Sequence, residues 1–289
     1  MKYAVMGITG QVGSVVAKML SKMGHEVRAI VRDSSKPLPY ATEVAVADYY
    51  DVADLTAAFT GVDGVFVMIP ANFAPSPGFT EPRMVISAIK EALWNAVPAK
   101  VVALSSIGAQ HSRGLGLITQ LHILEKEIGQ LAIPMTFIRA GWFMENIQFE
   151  LDQIMESNRL RSFLSPLDRS IPMVSTFDVG WYAANALASD WDGNRVWEIE
   201  GPQRYSPNDL AHALSRVLDK PIIAQAIPRA AWTEAFETSG MPVGRTGYRA
   251  EMVDGFNSGW IDFESESAHG SVTLTQAVEK IMANQAVLR

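Results

Sequence analysis

Gly7-Ile8-Thr9-Gly10-Gln11-Val12-Gly13 sets three glycines at intervals of three, between a short apolar run (Tyr3 to Met6) and a stretch with helical apolar spacing. Glycine reaches backbone angles closed to other residues and lets main-chain N–H groups approach a bound anion. A helix that begins at such a turn points its positive end at that anion. The expected ligand is the pyrophosphate of a dinucleotide. Apolar residues at Val12, Val15, Val16, Met19, Leu20 and Met23 support the helix, Gly24 ends it, and Glu26 to Val31 reads as the next strand.

That second strand ends in Val31-Arg32-Asp33. An acidic residue here would serve the ribose hydroxyls of NAD, whereas the Arg32 guanidinium suits the 2′-phosphate of NADP. The expectation is NADP(H), with NAD(H) bound more weakly. Asp33 keeps a ribose contact open as an alternative.

Three later strand ends carry polar or aromatic residues: Ile69-Pro70-Ala71-Asn72, then Ser105-Ser106-Ile107-Gly108, then Ala140-Gly141-Trp142. A parallel sheet brings such ends to one cleft. Pro70 would shape the floor beneath a nicotinamide ribose, and the Ser105 and Ser106 hydroxyls would bond its amide or a substrate carbonyl. Asn72, Phe73, Ser106, Trp142, Phe143 and Asn146 are the expected substrate pocket, the aromatic residues offering a flat wall to a planar acceptor.

A tyrosine followed four residues later by lysine, the usual carbonyl-protonating pair of short-chain dehydrogenases, is absent from all seven tyrosines. Aligned on Glu125, those two positions fall on Leu117 and Leu121. The proton donor expected from that helix is therefore His122, the side chain there whose ordinary pKa lies near neutrality. Quinones and conjugated dyes need no strong acid, because hydride transfer gives them a stabilised anion, so positioning alone is a second route. No metal-ligand spacing and no serine-hydrolase turn accompanies these residues.

The elements that must position them alternate strand and helix. Thr42 to Ala47, Gly64 to Ile69, Lys100 to Leu104 and Met135 to Arg139 read as further strands, separated by helices at Asp51 to Thr60, Glu81 to Asn95 and Ile118 to Gly129. Apolar runs joined through helices predict an α/β fold, a Rossmann-like doubly wound parallel sheet. From Phe149 the alternation fails and prolines punctuate shorter elements. The expected organisation is a dinucleotide-binding unit over residues 1–150, with a segment near 175–202 returning to it through a strand at Val196 to Ile199. A smaller, interleaved C-terminal α+β substrate domain takes 151–174 and 203–289. Helices are predicted there at Ser206 to Leu218, Arg229 to Ser239 and Thr273 to Ala283, the first with Ser206 as its N-cap.

Composition bounds the function. With 24 Lys plus Arg against 31 Asp plus Glu, the formal charge of −7 gives no footprint for nucleic acid. No cysteine is present, so redox chemistry requires a cofactor. The opening residues do not read as a signal peptide and no run approaches a membrane span, so a cytoplasmic protein is expected. Nothing opposes a homodimer.

Taken in order, GITGQVG, VRD, GVDGVFVMIP, VVALSSIGA, IPMTFIRAGWFMEN, IPMVSTFDVGWYAANAL and EGPQRYSPNDLAHAL resemble the NmrA-like family of atypical short-chain dehydrogenases over nearly the whole chain. The resemblance implies an NADP-binding Rossmann domain with a small C-terminal substrate domain. It places cofactor contacts at Gly7, Thr9, Gly10, Gln11, Val12, Gly13, Arg32, Ile69, Pro70 and Ser105. Some members reduce quinones, dyes or phenylpropanoids, and others resemble cofactor sensors that bind a protein partner. The leading expectation is an NADPH-dependent reductase of a small planar acceptor; the alternative is a non-catalytic NADP(H)-sensing regulator.

Overall fold

Apolar strands that lack alternation must be covered on both faces, and that requirement organises this chain. The computed structural model describes residues 1–288, with side chains through residue 284. The first half runs β1 (Lys2–Met6), α1 (Gln11–Lys22), β2 (Glu26–Val31), β3 (Glu43–Val46), α2 (Val52–Phe59), β4 (Gly64–Val67), α3 (Thr80–Ala96), β5 (Lys100–Ser106), α4 (Thr119–Ile128) and β6 (Met135–Ala140). Shorter elements follow: β7 (Trp142–Phe143), α5 (Leu151–Ser157), β8 (Arg159–Ser162), β9 (Met173–Val174), α6 (Thr176–Ala188) and β10 (Asn194–Glu200). The chain closes with α7 (Pro207–Leu218), β11 (Ile223–Ala226), α8 (Trp232–Thr238), α9 (Gly247–Ser258), β12 (Ala268–His269) and α10 (Leu274–Leu288).

Eight strands form one parallel sheet in the order β12-β10-β6-β5-β4-β1-β2-β3. β1 lies between β2 and β4, so the winding direction reverses there and a crevice opens at the carboxyl ends of β1 and β4. β4 is buried at every residue, and each face of the sheet is roofed by its own cluster. Leu55, Phe59, Ile86, Leu93 and Leu124 cover one face from α2, α3 and α4. Val16, Leu20, Ala183 and Leu187 cover the other from α1 and α6. Each Val, Leu, Ile or Phe side chain contributes about 1.5–3 kcal/mol when fully buried.

A third cluster, including Leu151, Leu214, Phe236, Val253 and Val278, stands on the C-terminal elements. β10 pairs in parallel with β6 from Asn194↔Met135 to Ile199↔Ala140, and β8 pairs with β11 in a separate small sheet. At the start of α7, Ser206 and Asp209 cap one another reciprocally.

Several boundaries differ from the sequence reading. β5 runs on to Ser106, so both serines are strand residues opposite Arg139 and Ala140, whereas β4 stops at Val67 and leaves Met68 and Ile69 in the following loop. α6 escaped prediction as an element. Its Gly180 stands where a Cβ would lie 2.6 Å from Val15, so a glycine that reads as a helix weakener is what lets α6 lie on α1. α9 was also missed, because its glycines and scattered polar residues give no apolar stripe. Among the described residues, no helix is long and apolar enough to cross a membrane.

Candidate functional site

The glycine turn divides its work among three positions. Gly7 has φ +65°, and a Cβ there would fall 2.1 Å from the Met68 sulfur. At Gly13 a Cβ would meet the Gly7 carbonyl oxygen at 2.3 Å, so this glycine lets α1 start hard against the end of β1. Gly10 differs: it is exposed, and its Cβ would approach only the Gly7 oxygen, at 3.2 Å. The fold therefore needs Gly7 and Gly13, while the space above Gly10 lies open. The Gly10 N–H donates to the Gly7 oxygen at 2.8 Å, and the Gly7 N–H donates to the Tyr49 hydroxyl at 3.2 Å.

No side chain caps the start of α1 and no acid occupies its first turn, so the leading N–H groups of the helix have neither a carbonyl nor a carboxylate partner. An anion fits there. Beside the turn, a cavity of about 330 Å³ is lined by Ile8, Thr9, Ser14, Lys36, Leu38 and Tyr40. Lys36 and Tyr40 had gone unnoticed because residues 34–42 carry no motif. Arg32 is exposed and takes no ion pair among the described residues. The Asp33 carboxylate accepts from the Ser35 N–H (2.9 Å) and hydroxyl (2.7 Å). Those bonds hold it below the usual carboxylate range and tie it to its own turn.

A second cavity, about 320 Å³ and mostly apolar, opens at the carboxyl ends of β4, β5 and β6. Ile69, Pro70, Asn72, Phe73, Ser105, Ser106, Trp142, Phe143 and Asn146 all line it. The structure thus brings together every residue expected at the nicotinamide end and in the acceptor pocket. Leu117 and Leu121 also line it, with Met252 and Phe256 from α9. Trp142 meets Phe256 edge to face at 5.2 Å.

Gln120 was passed over in the sequence. It is 5% exposed, and its amide nitrogen donates to the Asn72 and Leu117 carbonyls, both at 3.0 Å. Two carbonyl neighbours fix the amide orientation, and the Oε1 left over has no partner.

His122 does not reach the cleft. Its Nδ1 lies 2.8 Å from the Ala109 carbonyl oxygen, and the ring is absent from the cavity lining. The helical turn directs Leu121 inward and its neighbour His122 toward the preceding loop, one residue amounting to about 100° of rotation. His111, in the loop before that helix, stacks on Trp260 at 4.1 Å.

Beneath the cleft lies a buried ionic network that the sequence did not reveal. The Ser105 hydroxyl donates to Glu125 Oε1 at 2.5 Å, and Arg139 grips the same carboxylate through Nε (3.0 Å) and Nη2 (2.8 Å). Arg139 Nη1 also reaches Glu198 Oε1 at 3.4 Å and bonds Glu264. Burial disfavours the guanidinium charge, but the bonds from Glu125 and Glu264 outweigh it and raise the pKa of Arg139 above its ordinary value. Glu198 is further satisfied by the Ser265 N–H (2.8 Å) and hydroxyl (2.7 Å).

A parallel doubly wound sheet, a glycine turn opening its first helix and a cleft at the carboxyl ends of its strands define a Rossmann-like protein. The chain matches the model of the NmrA-like family over residues 2–267 and belongs to that family. It is 26% identical over 288 residues to quinone oxidoreductase 2 of Escherichia coli, covering 96% of this chain and 98% of the relative. It is 27% identical over 242 residues to an NAD(P)H azoreductase of Xenophilus azovorans, covering 82% and 81%. Among solved structures, the NADPH complex of an E. coli NADPH-dependent quinone oxidoreductase superposes with a TM-score of 0.82 at 24% identity, covering 98% of this chain and 100% of that one.

Proposed function

We propose that this protein is an NADPH-dependent reductase of a small planar acceptor, of quinone, azo-dye or enone type. The observation that carries the reading is the apolar cleft, walled by Trp142, Phe143 and Phe73, beside an uncapped helix start that suits a pyrophosphate. Gln11 and Val12 would hold the pyrophosphate on their N–H groups, across the open space above Gly10. Arg32 and Lys36 would face a 2′-phosphate, and Ile69, Pro70 and Ser105 would bound the nicotinamide. The reduced nicotinamide supplies a hydride when bound.

The residues of this chain position and exclude. Leu117, Leu121 and Met252 keep water from the reacting face, and the aromatic wall orients a flat ring parallel to its partner. A simple ketone would need a strong proton donor at the carbonyl. Leu117 and Leu121 offer none, and the reading therefore selects conjugated acceptors, whose reduction product is a stabilised anion. The names of the E. coli and Xenophilus relatives support the same substrate class.

The test is loss of reduced-nicotinamide absorbance when the purified protein meets a panel of quinones, azo dyes and enones, with NADH run beside NADPH. Turnover with a conjugated acceptor and none with simple ketones is expected. Tight NADPH binding with no turnover would replace this reading with an NADP(H) sensor that acts on a protein partner.

A further inference from the structure

Reduction of a planar acceptor consumes a proton as well as a hydride, yet no Asp, Glu, His, Lys or Tyr lines the cleft among the described residues. The proton must enter from outside it. A smaller cavity of about 80 Å³ adjoins the cleft and shares Trp142, Phe143 and Asn146 with it. That volume admits a few waters, at roughly 10–15 Å³ each. Glu150 lines this second cavity, at the end of the Met144–Phe149 turn that carries Asn146. Its carboxyl has no hydrogen-bond or ion-pair partner among the described residues.

We propose that Glu150 is the proton source of the cleft, donating through water in the adjoining cavity past Asn146. The inference rests on the reductase reading above. A hydride added to the acceptor would build negative charge on one of its oxygens or nitrogens, and a proton delivered in the same step lowers that barrier. The O–H bond of Glu150 breaks, a bond from hydrogen to that atom forms by way of water, and bulk water returns a proton to the Glu150 carboxylate.

The surroundings suit the role. Arg161 of β8 and Arg249 of α9 are the charged groups that face Glu150 in this cavity. Among the described residues Arg249 forms no ion pair; its guanidinium sits over the Phe236 ring at 4.7 Å. Burial pushes the Glu150 carboxyl up, the two arginines pull it down, and the balance stands at about 7. Both protonation states are then populated at neutral pH, as a general acid requires.

The experiment is the pH dependence of the single-turnover rate with a quinone, from about pH 5.5 to about pH 9, for the wild type, Glu150→Gln and Arg161→Gln. NMR titration of isotope-labelled glutamate carboxyls, without cofactor, runs beside it. The wild-type rate is expected to fall about tenfold or more as pH rises through the Glu150 pKa, and Glu150→Gln to be slow and flat. Arg161→Gln, an exposed change, removes a cation and moves the inflection to higher pH. A carboxyl signal with the same midpoint is expected to vanish in Glu150→Gln.

A falling limb retained in Glu150→Gln, or an inflection unmoved in Arg161→Gln, would overturn the proposal while leaving the reductase intact. A Glu150 signal titrating in the ordinary carboxylate range would do the same. Absence of turnover with every acceptor at every pH would remove the reductase reading, and the proposal with it.

Discussion

Arg139 and Glu125 meet in a two-toothed clasp: Nε and Nη2 of the arginine hold the two carboxylate oxygens at 3.0 and 2.8 Å. Their side chains are 6% and 11% exposed. The clasp ties the end of β6 to α4 and orients the carboxylate that accepts the Ser105 hydrogen bond. Removing the arginine strands Glu125 and Glu198 together, the latter fully buried. Arg139→Met is therefore expected to cost about 3–5 kcal/mol in denaturant unfolding. A loss below 1 kcal/mol would mean that the network is not held as described.

The glycine turn separates folding from binding. Gly13→Val should sharply lower the melting temperature, since its Cβ meets backbone at 2.3 Å. Gly10→Val should melt close to the wild type and show no NADPH binding by calorimetry, because its side chain enters the open space above the helix start. Retained binding in a folded Gly10→Val protein would sink the phosphate-cradle assignment.

Arg32→Ala tests cofactor choice. With Asp33 occupied by Ser35, the Arg32 guanidinium would supply a contact to a 2′-phosphate beside Lys36. The substitution should erase a preference for NADPH over NADH of about ten- to a hundredfold, as one charge-assisted contact implies. Kd values for both cofactors, measured side by side, decide it.

His122→Asn should leave kcat/KM within about twofold of the wild type, because the ring faces the Ala109 carbonyl and not the cleft. A drop of a hundredfold would return His122 to the reaction.

Glu150 also predicts how stability varies with pH. Its carboxyl rises from 4.5 to about 7 in the folded chain, so between those values the native state holds more protons than the unfolded one. Stability from this group falls as pH rises through that window, by up to about 3 kcal/mol, and no further above it. Urea unfolding of Glu150→Gln should lack this slope.

Much of the site was legible because it is built from local rules. GITGQVG, set between an apolar run and helical apolar spacing, reads as a strand-turn-helix, and apolar runs at Gly64 to Ile69 and Lys100 to Leu104 read as buried parallel strands. Once the strands are parallel, their carboxyl ends must meet, so the sequence itself brings Pro70, Ser105 and Trp142 to one cleft.

What stayed hidden depended on distance along the chain. Arg139 and Glu198 come together because β10 pairs with β6 in one register, and no local pattern encodes that register. Leu121 and His122 were equally available to a reading of α4, and only the helix rotation set by the packing of Ile123 and Leu124 decided which faced inward. Glu150 reads as one more acid among 31 Asp and Glu. Its burial, with two arginines across a cavity, is the work of α9 and β8, elements that the sequence pattern did not show and that tertiary packing brought to it.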